Sequence, residues 1–295
     1  MSDWLEIAVP VLEAGSADDV AGLLHAELPD AAAGVELRDG EVVYWVPLDR
    51  GEAALEAARR VGARMAAAGH PIDAARIALR PALPEAEWRD AWKRTFRTVR
   101  LTRQIVVVPS WDSCDPQPDD RLIHLDPGQA FGTGAHASTR LVLELMQELA
   151  DGDARPGRVL DLGAGSGILA LAAAGLWPEA AIEAVDIDPI AVDAARENAE
   201  ANRVAHRIRV SDTPVERIAG SFDLVLANIQ ADVLAALSDE VVARVAPGGH
   251  LILSGLLSEQ VAGTAALYAA RGLEVVRTCP SGDDPAWSAA LLRRP

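Results

Sequence analysis

Near the start of the chain, Leu5, Ile7, Val9 and Val11 alternate with other residues, the period of a half-buried strand. Residues 18–28 follow a helical spacing that stops at Pro29. Val35-Glu36-Leu37 and Val42-Val43-Tyr44-Trp45-Val46 flank Asp39-Gly40, a two-residue hairpin signal. Residues 51–68 are alanine-rich, with Leu55, Ala58, Val61 and Met65 at helical spacing, and 76–79 predict one more strand before Pro81 and Pro84. The order β-α-β-β-α-β is that of the split βαβ, or ferredoxin-like, unit.

A connecting helix is predicted over 85–97. Trp88, Trp92 and Phe96 lie four apart in it and share one face, which reads as a packing stripe. From about Val99 the pattern changes to strands at 104–108, 122–125, 158–161, 181–186, 207–210, 223–227, 250–254, 273–277 and 288–292, with helical segments between most of those after Arg158. Such alternation predicts βαβ units and a mostly parallel sheet. The chain therefore reads as an α/β protein with a small N-terminal α+β domain. The expected divisions are 1–80, a linker helix over 81–98, and a sheet domain over 99–295. In sheets of this kind ligands bind beyond the carboxyl ends of the strands.

Composition narrows the classes. Half of the 295 residues are hydrophobic, enough for a sizeable core, and 44 acids against 27 bases give a net charge of −17. That balance argues against a protein that grips phosphate backbones. It suits basic partners, the more so because residues 101–295 hold 27 of the acids and 15 of the bases. One basic concentration stands out, with Arg89, Lys93, Arg94, Arg97, Arg100 and Arg103 close together; a solvated helix face is its plainer reading. Two cysteines, Cys114 and Cys279, make neither a disulfide framework nor a zinc site. Neither a signal peptide nor a membrane-spanning helix is expected.

Candidate chemistry gathers just after predicted strands. Val159-Leu160-Asp161-Leu162-Gly163-Ala164-Gly165-Ser166-Gly167 runs from a strand through a glycine-rich turn into an apolar helix. Glycines let the backbone approach a ligand where a Cβ would clash. The dinucleotide fingerprint needs its third glycine at position 168, which is Ile168, so a pyrophosphate loop is disfavoured. Asp161 suits a cationic or hydroxyl-bearing ligand better than a phosphate. Asp186 ends the next strand, where a carboxylate accepts from the two hydroxyls of a ribose. Asp188-Pro189 reads as a helix N-cap followed by proline at the first helical position. Asn228 ends the strand over 223–227 on the same rim, and an asparagine amide oxygen there can accept from an amine and align its lone pair with an electrophile.

Together these features resemble class I methyltransferases that use S-adenosylmethionine. The resemblance sharpens at Asp126-Pro127-Gly128-Gln129-Ala130-Phe131-Gly132-Thr133-Gly134-Ala135-His136-Ala137-Ser138-Thr139, which looks like the signature of the bacterial ribosomal protein L-eleven methyltransferases, the PrmA family. Ile105-Val106-Val107-Val108-Pro109-Ser110-Trp111, Asn228-Ile229, Pro247-Gly248-Gly249 and Ser254-Gly255 fit the same family. The likeness covers most of the chain and is weakest over the first 80 residues.

That resemblance implies a Rossmann-like methyltransferase sheet behind a ferredoxin-like substrate-recognition domain. It implies methyl transfer from S-adenosylmethionine to lysine and α-amino groups of the L-eleven ribosomal protein, by a monomer in the cytoplasm that binds neither nucleic acid nor membrane and needs no metal. Carried over, Thr139, Gly163, Gly165, Asp186 and Asn228 contact the cofactor, Phe131 and Gly132 close over it, and Asn228 also orients the amine. His136 is a candidate base by position alone. The chain departs from the family pattern at Ala135, Ala137 and Gln230, on the acceptor side, and at Ala164 in the turn. Three rivals are weighed: a lysine methyltransferase of another protein, such as the β-subunit of electron-transfer flavoprotein; a nicotinamide-dependent oxidoreductase; and a ribosome-associated binding module without activity.

Overall fold

The structure, a computed structural model, describes residues 4–12, 35–38, 40–67, 72–81, 97–126, 136–152 and 154–295. It divides into two compact units, Met1–Thr95 and Phe96–Pro295.

In the first unit β1 (Trp4–Pro10), β2 (Val35–Arg38), β3 (Glu41–Pro47) and β4 (Ala78–Pro81) form one antiparallel sheet in the order β2-β3-β1-β4. That is the strand order of a split βαβ unit. The hairpin turn works as expected, since Gly40 has φ +80°, which L side chains rarely adopt. Helix α1 (Gly51–Ala67) lays Leu55, Ala58, Val61 and Met65 against Ile7, Val9, Tyr44 and Ile77. Gly62 permits the approach, because a Cβ there would stand 2.4 Å from Ile77 Cδ1. β1 is buried on both faces rather than one. The buried carboxylate of Glu6 is held at 3.3 Å by Arg80, which also donates to Glu41 at 2.7 Å. The strand expected at 76–79 starts later, after a 3-10 turn at Ala74–Arg76, and Pro81 is its last residue. The helix expected at 18–28 and the connecting helix with Trp88, Trp92 and Phe96 lie outside the described residues.

The second unit opens with β5 (Val99–Arg100), β6 (Ile105–Val108) and β7 (Arg121–His124), a small sheet of its own. Here the basic run is accounted for in part: Arg100 donates twice to Asp120, at 2.7 and 2.8 Å, and Arg103 pairs with Asp151. Helix α2 (Ala137–Asp151) leads into β8 (Arg158–Leu162), α3 (Ile168–Leu176), β9 (Ala181–Val185), α4 (Pro189–Ala201), β10 (Ile208–Ser211) and β11 (Phe222–Asn228). Helices α5 (Ala231–Ala236) and α6 (Ser238–Arg244), β12 (Val245–Leu257), α7 (Ser258–Ala269), β13 (Glu274–Pro280) and β14 (Trp287–Arg293) complete it.

The seven-stranded sheet has the order β10-β9-β8-β11-β12-β14-β13, parallel from β10 to β12, with β14 antiparallel to both β12 and β13. Apolar cores cover both faces. Along β11, Leu224 and Leu226 enter one core with α2 and α3, while Val225 and Ala227 enter the other with Tyr268 and Val261 of α7. A strand covered on both sides has to be apolar at every position, hence the uninterrupted run. The α/β architecture expected from the sequence is the one observed. Among the described residues no helix is long and apolar enough to cross a membrane.

Candidate active site

The strand order reverses between β8 and β11, and the ends of these strands open on a cavity of about 770 Å³. A crevice at that switch point and of that size is where a doubly wound sheet binds a small molecule. Gly163, Gly165 and Gly167 follow β8 with φ of +72°, +54° and +80°. The Gly163 and Ala164 N–H groups donate to Val185 O at 2.9 and 3.0 Å, curling the turn against the end of β9. A Cβ on Gly163 would stand 2.3 Å from Ile229 Cγ2. Gly163 and Gly165 line the cavity, whereas at Gly167 a Cβ would lie 3.1 Å from Ala195 Cβ of α4. Two glycines thus face the ligand space and the third packs a helix, which is why the spacing misses the dinucleotide fingerprint.

Asp186, half-buried, follows β9 and lines the same cavity. Its Oδ2 accepts from Gly165 N at 2.9 Å and its Oδ1 from Asp188 N at 3.0 Å, so the carboxylate is fixed before any ligand arrives. A carboxylate has about four acceptor positions, so two remain for hydroxyls. Asp188 caps α4 as expected, accepting from Ile190 N at 2.9 Å, with Pro189 first in the helix. Beneath the turn Asp161 is fully buried. Its Oδ2 accepts from Ala170 N at 3.0 Å, and its Oδ1 has no partner. Burial, aided by the nearby charge of Asp186, pushes its carboxyl up to about 7. A buried acid with an unpartnered oxygen behind the glycine turn favours a ligand that brings positive charge over a phosphate.

On the other side of the crevice, α2 brings Thr139 to Asn228, whose Nδ2 donates to Thr139 Oγ1 at 3.2 Å. With its NH₂ engaged there, the amide offers Oδ1 as an acceptor. Ser254 Oγ of β12 donates to Ser138 O at 2.9 Å and pins the first turn of α2 to the sheet. His136 is the N-cap of α2: its Nδ1 accepts from Ser138 N at 3.2 Å. With Nδ1 accepting in the cap, that nitrogen is engaged and is not free to act as a base for substrate. The ring meets Trp287 edge to face, with centroids 4.6 Å apart.

Thr139, Gly163, Gly165, Asp186 and Asn228 are thus brought to one cavity. Phe131, Gly132 and Ala135 lie outside the described residues. Gln230 lines the cavity and Ala137 opens α2. Sequence reasoning missed Trp287, Ile187, Thr213 and Glu216, all of which also line it. Ile187 carried a signal, an apolar residue between two acids, and it is 85% exposed. Trp287 carried none, because only the antiparallel insertion of β14 puts its first residue on this rim. Among the described residues no cluster of three metal-ligating side chains exists.

Comparison with known proteins agrees with this geometry. Residues 52–294 match the family described as ribosomal protein L11 methyltransferase (PrmA). The protein of that name from Pelobacter propionicus is 43% identical over 210 residues, which are 70% of this chain and 67% of that one. Its counterpart from Geobacter sulfurreducens is 42% identical over 225 residues, 76% of this chain and 71% of that one. Among solved structures, a ribosomal protein L11 methylase from Lactobacillus delbrueckii subsp. bulgaricus superposes with a TM-score of 0.59 at 32% identity, covering 68% of this chain and all of that one. The chain belongs to the ribosomal protein L11 methyltransferase (PrmA) family.

Proposed function

We propose that this protein transfers methyl groups from S-adenosylmethionine to lysine and α-amino groups of ribosomal protein L11. The single observation that carries the reading is the Asn228–Thr139 pair facing the Gly163–Gly165–Asp186 rim across one cavity. One end of the cavity is built to hold a ribose diol and a cation, the other to align an amine.

When bound, S-adenosylmethionine supplies a methyl group on a positively charged sulfur. The chain supplies alignment and desolvation. Asp186, already fixed by Gly165 and Asp188, accepts from the ribose hydroxyls. Gly163 and Gly165 let the backbone come close, and the buried carboxyl of Asp161, in β8 behind the cavity lining, favours positive charge there through its field when ionised. Asn228 Oδ1 accepts an amine N–H and turns the nitrogen lone pair toward the methyl carbon. A lysine amine has an ordinary pKa of about 10.4 and must be neutral to attack. The mostly apolar cavity wall favours that form, so the proton is left to water rather than to His136 Nδ1. Residues 1–80 serve as the substrate-recognition domain, 81–98 as the linker and 99–295 as the catalytic domain. Phe131 and Gly132 close over the cofactor.

The relatives are named for one substrate, so neither the flavoprotein subunit nor a role without activity gains support. The test uses methyl-labelled S-adenosylmethionine, the purified protein and an extract of cells that lack it. Label in the L11 band supports the proposal. Label only in another band discards the substrate, and no label discards the activity.

A further inference from the structure

Ser254 breaks the pattern of its strand. β12 is covered on both faces, and Leu251, Ile252, Leu253 and Leu256 are buried and apolar, as such a strand requires. Ser254 is as buried as they are, at 0% exposure, yet polar. It stands beside Asn228 in the parallel register of β11 and β12, so the two side chains share one face of the sheet. That face is the one α2 covers. Ser254 Oγ donates to Ser138 O at 2.9 Å, and Asn228 Nδ2 donates to Thr139 Oγ1 at 3.2 Å. Two neighbouring strand ends thus hold two successive residues of one helical turn. The helix does not need the first of these bonds. Ser138 is the second residue of α2, where the carbonyl accepts from the N–H four positions on; the groups left over at a helix start are N–H groups. Ser254 therefore takes the second lone pair of an oxygen that the helix already satisfies. Nor does the ligand space need it: Ser138, Thr139, Asn228 and Gly255 line the cavity, and Ser254 lies behind them.

We infer that Ser254 is a positioning residue of the methyl-transfer reaction: by holding Ser138 O it sets where Thr139 Oγ1 stands, and so which way the Asn228 amide turns. This rests on the activity proposed above. Without the hydroxyl, the Asn228–Thr139 bond alone ties the first turn of α2 to these two strand ends. The other ties of that turn are the His136 ring against Trp287 and the Arg140–Asp283 ion pair at 2.5 Å, and both run to β14 and the loop before it rather than to the strand that carries Asn228. The turn then drifts along the sheet, and the amide drifts with it. Reaction geometry is steep, with about a hundredfold in rate for 1 Å of misplacement. A small drift is therefore read in turnover, while the Gly163, Gly165 and Asp186 rim, which Ser254 does not touch, keeps its hold on the cofactor.

The experiment is a double-variant cycle on the full-length protein, with ribosomal protein L11 as acceptor: wild type, Ser254→Ala, Thr139→Val and the two combined. Ser254→Cys is the conservative variant, because its thiol fills the site and is a weak donor. Each protein is read for kcat, for acceptor KM, and for cofactor Kd by calorimetry. Ser254→Ala is expected to lower kcat about fivefold, with KM and Kd each within about twofold of wild type. In the Thr139→Val background the same substitution is expected to lower kcat less than about twofold, because the bond it aligns is already gone. Ser254→Cys falls between Ser254→Ala and wild type. Unchanged kcat in Ser254→Ala overturns the inference and leaves the proposed activity standing. So does an equal fold-loss in both backgrounds, which means that Ser254 acts by another route. So does a rise in cofactor Kd that matches the fall in kcat, which assigns the hydroxyl to the fold. If Ser254→Ala does not fold, Ser254→Cys takes its place in the cycle and is judged by the same outcomes. A wild type that methylates no L11 overturns both the inference and the proposed activity.

Discussion

Asn228 and Thr139 are 89 residues apart and meet through one hydrogen bond of 3.2 Å, Nδ2 to Oγ1. That bond sets which end of the amide remains to accept, the end that the proposed function uses to orient an amine. Asn228→Ala is expected to lower kcat about a hundredfold while cofactor Kd changes by less than about fivefold, because alignment matters most in the transition state. Thr139→Val removes only the partner and is expected to cost about tenfold in kcat. Steady-state kinetics beside calorimetric titration checks both. A Kd that rises as much as kcat falls would move Asn228 from orienting the amine to holding the cofactor.

Gly163 is constrained twice, by its φ of +72° and by Ile229 Cγ2 standing 2.3 Å from where a Cβ would sit. Gly163→Ala is expected to destabilise the fold by about 3 kcal/mol. Some 1–2 kcal/mol of this is the left-handed backbone and the rest is the clash. Adding Ile229→Ala relieves the clash but not the backbone, so the double variant should recover part of the loss once the cost of Ile229→Ala alone is subtracted. Urea unfolding of the four proteins closes the cycle. Simple additivity would mean the two sites do not touch.

Much of this was legible in the sequence because burial on two faces leaves an unmistakable apolar run, as at residues 224–227. The glycine turn, Asp186 and Asn228 were legible because parallel strands put their carboxyl ends on one rim. Other features had no local signal. Pro247-Gly248-Gly249 has the composition of a turn but lies inside β12, where Gly248 N and Gly249 O pair with Arg294 across the sheet. Trp287 reaches the cavity only because β14 inserts antiparallel between β12 and β13, a topological fact that no window of residues contains. The unpartnered Oδ1 of Asp161 likewise emerges only when the turn closes over it.

Asp186 accepts from two backbone N–H groups, so its removal does more than delete a ligand contact. Asp186→Ala leaves the Gly165 and Asp188 amides without their acceptor and takes away the proposed ribose partner. Each hydrogen bond to a charged group contributes about 1.5–3 kcal/mol. Cofactor Kd is therefore expected to rise at least a hundredfold, and Asp186→Asn, which keeps one acceptor, should fall between. Equal affinity in wild type and Asp186→Ala, measured by calorimetry, would sink the ribose assignment.

Asp161 contributes to the pH dependence of stability. Burial raises its carboxyl from an ordinary value of 3.8 to about 7. An acid that is harder to ionise in the folded state holds its proton there after the unfolded chain has lost it, so stability falls as pH rises between about 4 and 7 and levels off above. The full shift corresponds to a few kcal/mol at about 1.4 kcal/mol per unit. Asp161→Asn keeps an oxygen to accept from Ala170 N and cannot ionise. It is expected to melt higher than wild type at pH 8, to match it more closely at pH 5, and to lack that part of the slope. A cationic ligand favours the ionised form, so cofactor binding to wild type near pH 6.5 should release a fraction of a proton, and binding to Asp161→Asn less. Melting curves from pH 5 to 8, with binding heats in buffers of different ionisation enthalpy, read both effects. Parallel melting slopes in the two proteins would place the titration elsewhere, and equal proton release would separate Asp161 from the ligand.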